Sequence, residues 1–278
     1  MSKIDLASPV VKWVGGKRQL LERLMPLFPE TYTSYCEPFI GGGAVLFALQ
    51  PQKAIVNDIN SELIGVYRAI KDDVESLIKR LAQFENTKEC FYEVRGWDRN
   101  AEIYNQLTDI DKAARVIFLN KTCYNGLYRV NSAGEFNTPF GRYKNPNIVN
   151  ESTLRAVNEY FNTADVTILN TSYSEAVQGL PENSFVYLDP PYDPISVTAS
   201  FTGYNAGGFS REDQIALRDC CRQLDAAGIK FMLSNSATEF IQEIYSDFNV
   251  TIVPAKRAIN SVGSKRGCVD EVVVRNYE

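Results

Sequence analysis

The chain has 278 residues, 45% hydrophobic and 23% charged, which is long enough to bury a sizeable core. It contains no histidine, which excludes His-based triads, His zinc sites and imidazole acid–base catalysis. A net charge of −5 gives no overall basic signature, no stretch approaches the roughly 18 apolar residues of a membrane span, and the start lacks a signal-type apolar segment, so a cytoplasmic location is expected.

Taken in order, Lys12-Trp13-Val14-Gly15-Gly16-Lys17 leads into a helical pattern carrying Leu20, Leu21, Leu24 and Phe28, ended by Pro26 and Pro29. Lys17 falls in the first turn, an unfavourable place for a cation unless an anion is held there. A short strand over residues 34–39 runs into Gly41-Gly42-Gly43 and a helix from Ala44 to Leu49. Strand, triple glycine and helix give the layout of a nucleotide-binding turn, without the Gly-x-Gly-x-x-Gly spacing of dinucleotide sites. The strand Ala54-Ile55-Val56-Asn57 ends at Asp58, which is placed to accept hydrogen bonds from ribose hydroxyls or to cap the next helix.

From Leu63 to about Tyr160 the spacing predicts helices, with stripes at Leu63, Val66, Ile70, Leu77, at Ala113, Val116, Ile117, and at Leu154 and Val157. Between the second and third lies a hairpin-rich stretch, residues 121–144, with several aromatics and the cations Lys121, Arg129, Arg142 and Lys144 against Glu135 alone. Aromatics interleaved with cations suit base stacking and phosphate contact. A second basic stretch holds Lys256, Arg257, Lys265 and Arg266 with no acid. The helical block 60–164 reads as an insertion into an α/β domain made of residues 1–59 and 165–278.

Strand–helix alternation resumes with Val166-Thr167-Ile168-Leu169 and Phe185-Val186-Tyr187-Leu188. A mobile loop is expected over residues 193–209. A helix follows, capped at Ser210 with Asp213 three residues on and stopped near Gly228. Next come the strand Ile229–Leu233, a helix for which Ser236 and Glu239 suggest a capping box, and closing strands over 250–253 and 269–274. Cys220-Cys221 sits within a predicted helix and reads as packing; Cys36, Cys90, Cys123 and Cys268 show no Cys-x-x-Cys spacing either.

Asp189-Pro190-Pro191-Tyr192 ends the strand 185–188. Neither proline has an N–H for a sheet ladder and each fixes φ, so an acid, a rigid carbonyl and an aromatic ring come together at the carboxyl end of a strand. Asp189 can accept one hydrogen bond from an amino group, the Pro190 carbonyl a second, and Tyr192 can stack on a flat ring. A planar amino-heterocycle is the substrate this suggests. Alone, the tetrapeptide is equally a surface turn.

Jointly, Lys-Trp-x-Gly-Gly-Lys, Glu-Pro-Phe-x-Gly-Gly-Gly, Asn-Asp, the helical insert and Asp-Pro-Pro-Tyr closely resemble the Dam family (D12 class) of S-adenosylmethionine-dependent DNA adenine-N6 methyltransferases, especially its GATC-methylating members. The similarity includes Asn125-Gly126-Leu127-Tyr128-Arg129, Phe136-Asn137-x-Pro139-x-Gly141-Arg142-Tyr143 and Arg266-Gly267. The resemblance implies a Rossmann-like α/β methyltransferase sheet with an inserted, mainly helical target-recognition domain, 60–164, carrying a β-hairpin loop. It also implies bacterial or phage origin, double-stranded DNA as partner, no obligatory protein partner, and no metal. S-adenosylmethionine would be held by Trp13, Lys17, Phe39, Gly41, Gly43, Asp58 and Asp189, leaving S-adenosylhomocysteine. Asp189, Pro190 and Tyr192 would act on the extruded adenine. Lys12, Tyr124, Asn125, Leu127, Arg129, Pro139 and Tyr143 would meet bases, and Arg142, Lys144, Lys265 and Arg266 phosphates. Ser172-Tyr173 falls where family members vary. Two other readings remain: methylation of an amino group on another nucleic acid, and a non-catalytic DNA-binding protein that keeps the fold.

Overall fold

Alternation of apolar residues builds the sheet. In β4 (Phe185–Leu188) all four side chains are buried, Phe185 and Tyr187 in one hydrophobic cluster, Val186 and Leu188 in another. That is the signature of a strand covered on both faces. The computed structural model describes residues 3–195, 208–256 and 268–278; Lys265, Arg266 and most of the 193–209 loop lie outside them.

The other strands are β1 (Tyr35–Glu37), β2 (Lys53–Asn57), β3 (Asp165–Leu169), β5 (Lys230–Ser236), β6 (Asn249–Lys256) and β7 (Cys268–Arg275). Together with β4 they form one seven-stranded sheet in the order β3-β2-β1-β4-β5-β7-β6. The first five positions run parallel, and β7 is antiparallel to both β5 and β6. The expected Rossmann-like α/β sheet is therefore present. Strand order reverses between β1 and β4, so the crevice beyond their carboxyl ends is the place where such sheets bind ligands.

The helices are α1 (Leu21–Leu24), α2 (Ala44–Leu49), α3 (Ser61–Asp72), α4 (Val74–Leu81), α5 (Lys88–Gly96), α6 (Ala101–Gln106), α7 (Asp109–Thr122), α8 (Glu151–Thr163), α9 (Tyr173–Ala176), α10 (Arg211–Ala226) and α11 (Glu239–Ile244). None of them is long and apolar enough to cross a membrane. One hydrophobic cluster runs from Val56, Phe185 and Tyr187 of the sheet into Leu63, Leu77, Phe118 and Leu154 of the helical block. Sheet and block are thus joined by continuous core.

Local caps follow the side chains, with two changes from expectation. Ser210 and Asp213 form the capping box of α10, and Gly228 (φ +69°) follows its end. The cap of α3 is Asn60, whose Oδ1 accepts from Leu63 N, not Asp58. The cap of α11 is Thr238, not Ser236. Ser236 lies in β5 and donates instead to the Asp193 carbonyl at 2.8 Å.

Candidate active site and nucleic-acid interface

At the end of β1 the chain turns through Gly41 (φ +48°) and Gly43 (φ +73°) into α2. The space beside these glycines is tight: a Cβ on Gly41 would lie 3.1 Å from the Trp13 ring, and one on Gly43 2.7 Å from Phe47. The Gly41 N–H donates to Asp58 Oδ2 at 3.1 Å, the Asn60 N–H to Oδ1 at 2.9 Å, and Tyr67 donates to the Gly41 carbonyl at 2.7 Å. Burial raises the Asp58 carboxyl while these N–H groups oppose the rise. Trp13 stacks on Tyr128, and Phe39 stacks on Tyr173 at 5.3 Å with Phe209 set edge-on. The loop after β1, the end of β2 and the aromatic pair therefore border one crevice.

Across it, at the end of β4, stands Asp189. The Lys17 ammonium, only 4% exposed, lies 2.7 Å from Asp189 Oδ1, donates to the Gly15 carbonyl at 2.8 Å and sits 4.7 Å from the centre of the Tyr192 ring. The anion that Lys17 required is thus Asp189. Asp189 Oδ1 is shielded from solvent, with the Lys17 ammonium as its ion-pair partner. Burial and the nearby Glu271 push the Asp189 carboxyl up to about 6, against the pull of Lys17. Burial likewise raises Glu37 to about 8; Asp189 adds to this, whereas the Tyr35 hydroxyl, which donates to Glu37 Oε2 at 2.8 Å, and Lys17 oppose it.

The tetrapeptide is fixed from behind. Gln214 of α10 donates to the Pro191 carbonyl at 2.8 Å, the Asp193 N–H donates to Asn235 Oδ1 at 3.0 Å, and Tyr192 donates to Glu271 Oε2 at 2.7 Å. Glu37 entered the sequence reading only as the first residue of Glu-Pro-Phe-x-Gly-Gly-Gly, with no role, and Gln214, Asn235, Phe209 and Glu271 had none either. An acid closing the apolar strand before Pro38-Phe39 was a usable signal for Glu37. The others act across the fold and leave no local trace.

The remaining candidates lie on another face. Asn120 of α7 accepts from the Lys12 N–H and donates to the Lys12 and Gly126 carbonyls, tying the first segment to the 3-10 turn Tyr124–Gly126. The Lys12 ammonium donates to the Asn125 carbonyl at 2.6 Å. Asn125 (φ +57°) and Arg142 (φ +55°) hold left-handed backbone, a strained choice for non-glycine residues. An open groove of about 390 Å³ is lined by Lys12, Lys121, Asn125, Tyr143, Lys144 and neighbours. Isolated antiparallel bridges Cys123↔Phe140 and Val130↔Phe136 bracket the stretch from which exposed Arg129 donates its Nε to Asn137 Oδ1 at 2.6 Å. Pro139 is exposed and its carbonyl accepts from Tyr124 N; Leu127 is half-buried. Tyr124 and Tyr143 are 58% and 40% exposed, with Arg142 and Lys144 exposed beside them.

A family model described as D12 class N6 adenine-specific DNA methyltransferase matches residues 13–259. The chain belongs to this family. It is 46% identical over 278 residues to a type II methyltransferase, M1.LlaDCHI, of Lactococcus lactis subsp. cremoris, covering 99% of this chain and 97% of that one. It is 42% identical over 290 residues to a type II methyltransferase, M.MjaIII, of Methanocaldococcus jannaschii, covering 97% and 99%. With the DNA adenine methylase of Escherichia coli strain K12 it shares 33% identity over 272 residues, covering 95% and 93%. The protein is a DNA adenine methyltransferase, and membership implies S-adenosylmethionine as methyl donor.

The crevice of this methyltransferase suits such a donor. Its acids Asp189 and Glu37 lie about one buried ammonium, and Asp58 is held at the glycine turn by the Gly41 N–H.

Proposed function

We propose that this methyltransferase acts on N6 of the adenine in GATC, taken out of the duplex into the crevice at the end of β4. Residues 1–59 and 165–278 then serve as the catalytic domain and 60–164 as the target-recognition domain. The observation that carries the reading is a buried Asp189 Oδ1 held by one ammonium, beside a Tyr192 ring whose face lies near that same cation.

S-adenosylmethionine, when bound, supplies a methyl carbon made electrophilic by sulfonium. Trp13, Lys17, Phe39, Gly41, Gly43 and Asp58 would hold it, Asp58 at the ribose. The amine of adenine is a poor nucleophile because its lone pair is spread into the ring. Asp189 and the Pro190 carbonyl, accepting one N–H each, favour a pyramidal nitrogen whose lone pair is free. Tyr192 holds the ring by stacking. Lys17 yields Asp189 to the amine. With its carboxyl pushed up by burial, Asp189 can take up the proton that the methylated nitrogen sheds. Positioning supplies much of the rate, and extrusion of the base costs a few kcal/mol.

On the exposed face, Arg129 would read a guanine through O6 and N7 and Lys12 the outer guanine. Tyr124 and Asn125 would enter the duplex at the space the adenine leaves. Leu127 and Pro139 would touch thymine or its neighbours, with Tyr143 assisting. Arg142 and Lys144 would grip phosphates and fix register; Lys265 and Arg266, outside the described residues, are assigned the same task.

The test is incubation with labelled S-adenosylmethionine and paired duplexes that differ only at GATC, followed by nucleoside analysis. Label in N6-methyladenine from the GATC duplex alone is the expected result. Equal labelling of both duplexes would remove the GATC assignment, and label on another base would remove the adenine pocket.

A further inference from the structure

We infer that Glu271 is a positioning residue for Tyr192: its carboxylate holds the phenol so that the ring presents one fixed, electron-rich face to the reacting amine. This rests on the reading above, in which Tyr192 stacks on the extruded adenine.

The two prolines set the backbone before Tyr192, but they leave its side-chain torsions free. Backbone on both sides of the residue is pinned, by Gln214 at the Pro191 carbonyl and by Asn235 and Ser236 at Asp193. What remains to be fixed is the ring. The Tyr192 hydroxyl reaches past β5 to β7, where Glu271, paired with Ser236 on one side and Val253 on the other, accepts it at 2.7 Å. A phenol bonded to a carboxylate is held more tightly than one bonded to a neutral acceptor.

The same bond changes what the ring can do. A carboxylate at the phenol proton returns electron density to the ring, and a cation over an aromatic face is stabilised in proportion to that density. Lys17 Nζ, 4.7 Å from the ring centre, shows that a cation already lies over this ring. During methyl transfer, positive charge grows on the amine nitrogen. A ring made richer by Glu271 therefore favours the transition state over the bound ground state. Loss of Glu271 is accordingly expected to lower kcat more than it raises the KM for DNA.

Three full-length variants test this, assayed for methyl transfer to a GATC duplex and for binding of a duplex carrying 2-aminopurine at the target position. Glu271→Gln keeps an acceptor but removes the charge; it is expected to leave 2-aminopurine fluorescence close to wild type and lower kcat by about threefold to tenfold. Glu271→Ala removes both and is expected to lower kcat by about tenfold or more and to alter the fluorescence. Tyr192→Phe keeps the ring and loses the hydroxyl, so adding Glu271→Ala to it should cost almost nothing further. Additive losses in the double variant would overturn the inference, as would a Glu271→Ala enzyme with wild-type kcat. A misfolded Glu271→Ala protein would lose activity in the Tyr192→Phe background too, and so counts against it. The underlying reading fails separately: Tyr192→Ala with undiminished transfer would remove the stacking role itself.

Discussion

On the proposed function, the end of β4 and the stretch of residues 124–144 divide chemistry from reading. At the end of β4, Asp189 is 17% exposed, and the backbone after it is held by α10 and β5 and the Tyr192 ring by β7. The stretch has two isolated bridges, crossed by backbone bonds such as Tyr124 N–H to the Pro139 carbonyl and Asn137 N–H to the Arg129 carbonyl, and offers Tyr124, Arg129, Pro139 and Arg142 to solvent. The end nearest its turn is held from the helical block: buried Arg115 pairs with Asp98, and Asp98 accepts the Phe136 N–H at 2.8 Å. Acids gather at the buried end and cations at the exposed one. An acid works on an amine best where water is scarce, whereas a side chain that reads DNA must be free to leave water for the groove.

If the division is right, changes at the two places should fail in different ways. The largest effect belongs to Asp189→Ala, which should cut methyl transfer on the order of 10³-fold while the duplex still binds; parallel turnover and gel-shift assays check this. Arg129→Ala should instead keep transfer at GATC and relax discrimination at one guanine by about 1–3 kcal/mol. Unchanged ratios among near-cognate duplexes would contradict it.

A pH series sharpens the contrast. Asp189 must be ionised to accept the amine, and burial together with Glu271 lifts it to about 6 against Lys17. The ionised fraction of the free enzyme is lost as pH falls through that value, so kcat/KM should decline about tenfold per unit below it. Duplex binding, which rests on Lys and Arg, should not follow that curve. The smallest effect is expected at Lys144→Ala: binding weakened alike on all sequences, with a salt slope lower by about 1.

Strands, glycine turn and tetrapeptide were legible in the sequence because each is written in neighbouring residues. Pro190 and Pro191 stop β4 where it ends, and Ser210 with Asp213 starts α10. Contacts made across the fold were not legible. Ser236 looked like a helix cap because Glu239 follows at the right spacing, yet its hydroxyl faces Asp193 once β5 extends to it. Asp58 lost the capping role to Asn60 because the Gly41 N–H, 17 residues earlier, claims its carboxylate. The partnership of Lys17 with Asp189 joins residues far apart in the chain; the sequence showed only that Lys17 needed an anion. Glu271 begins the strand run of Val272, Val273 and Val274, and nothing beside it points to Tyr192.

The most direct measurement is a crystal structure of the enzyme with S-adenosylhomocysteine and a GATC duplex. The target adenine should stand outside the helix, with N6 about 2.6–3.2 Å from Asp189 Oδ1 and from the Pro190 carbonyl, its ring against Tyr192 and Lys17 drawn off the carboxylate. An adenine left stacked in the duplex, or bound with N6 turned away from Asp189, would contradict the whole arrangement.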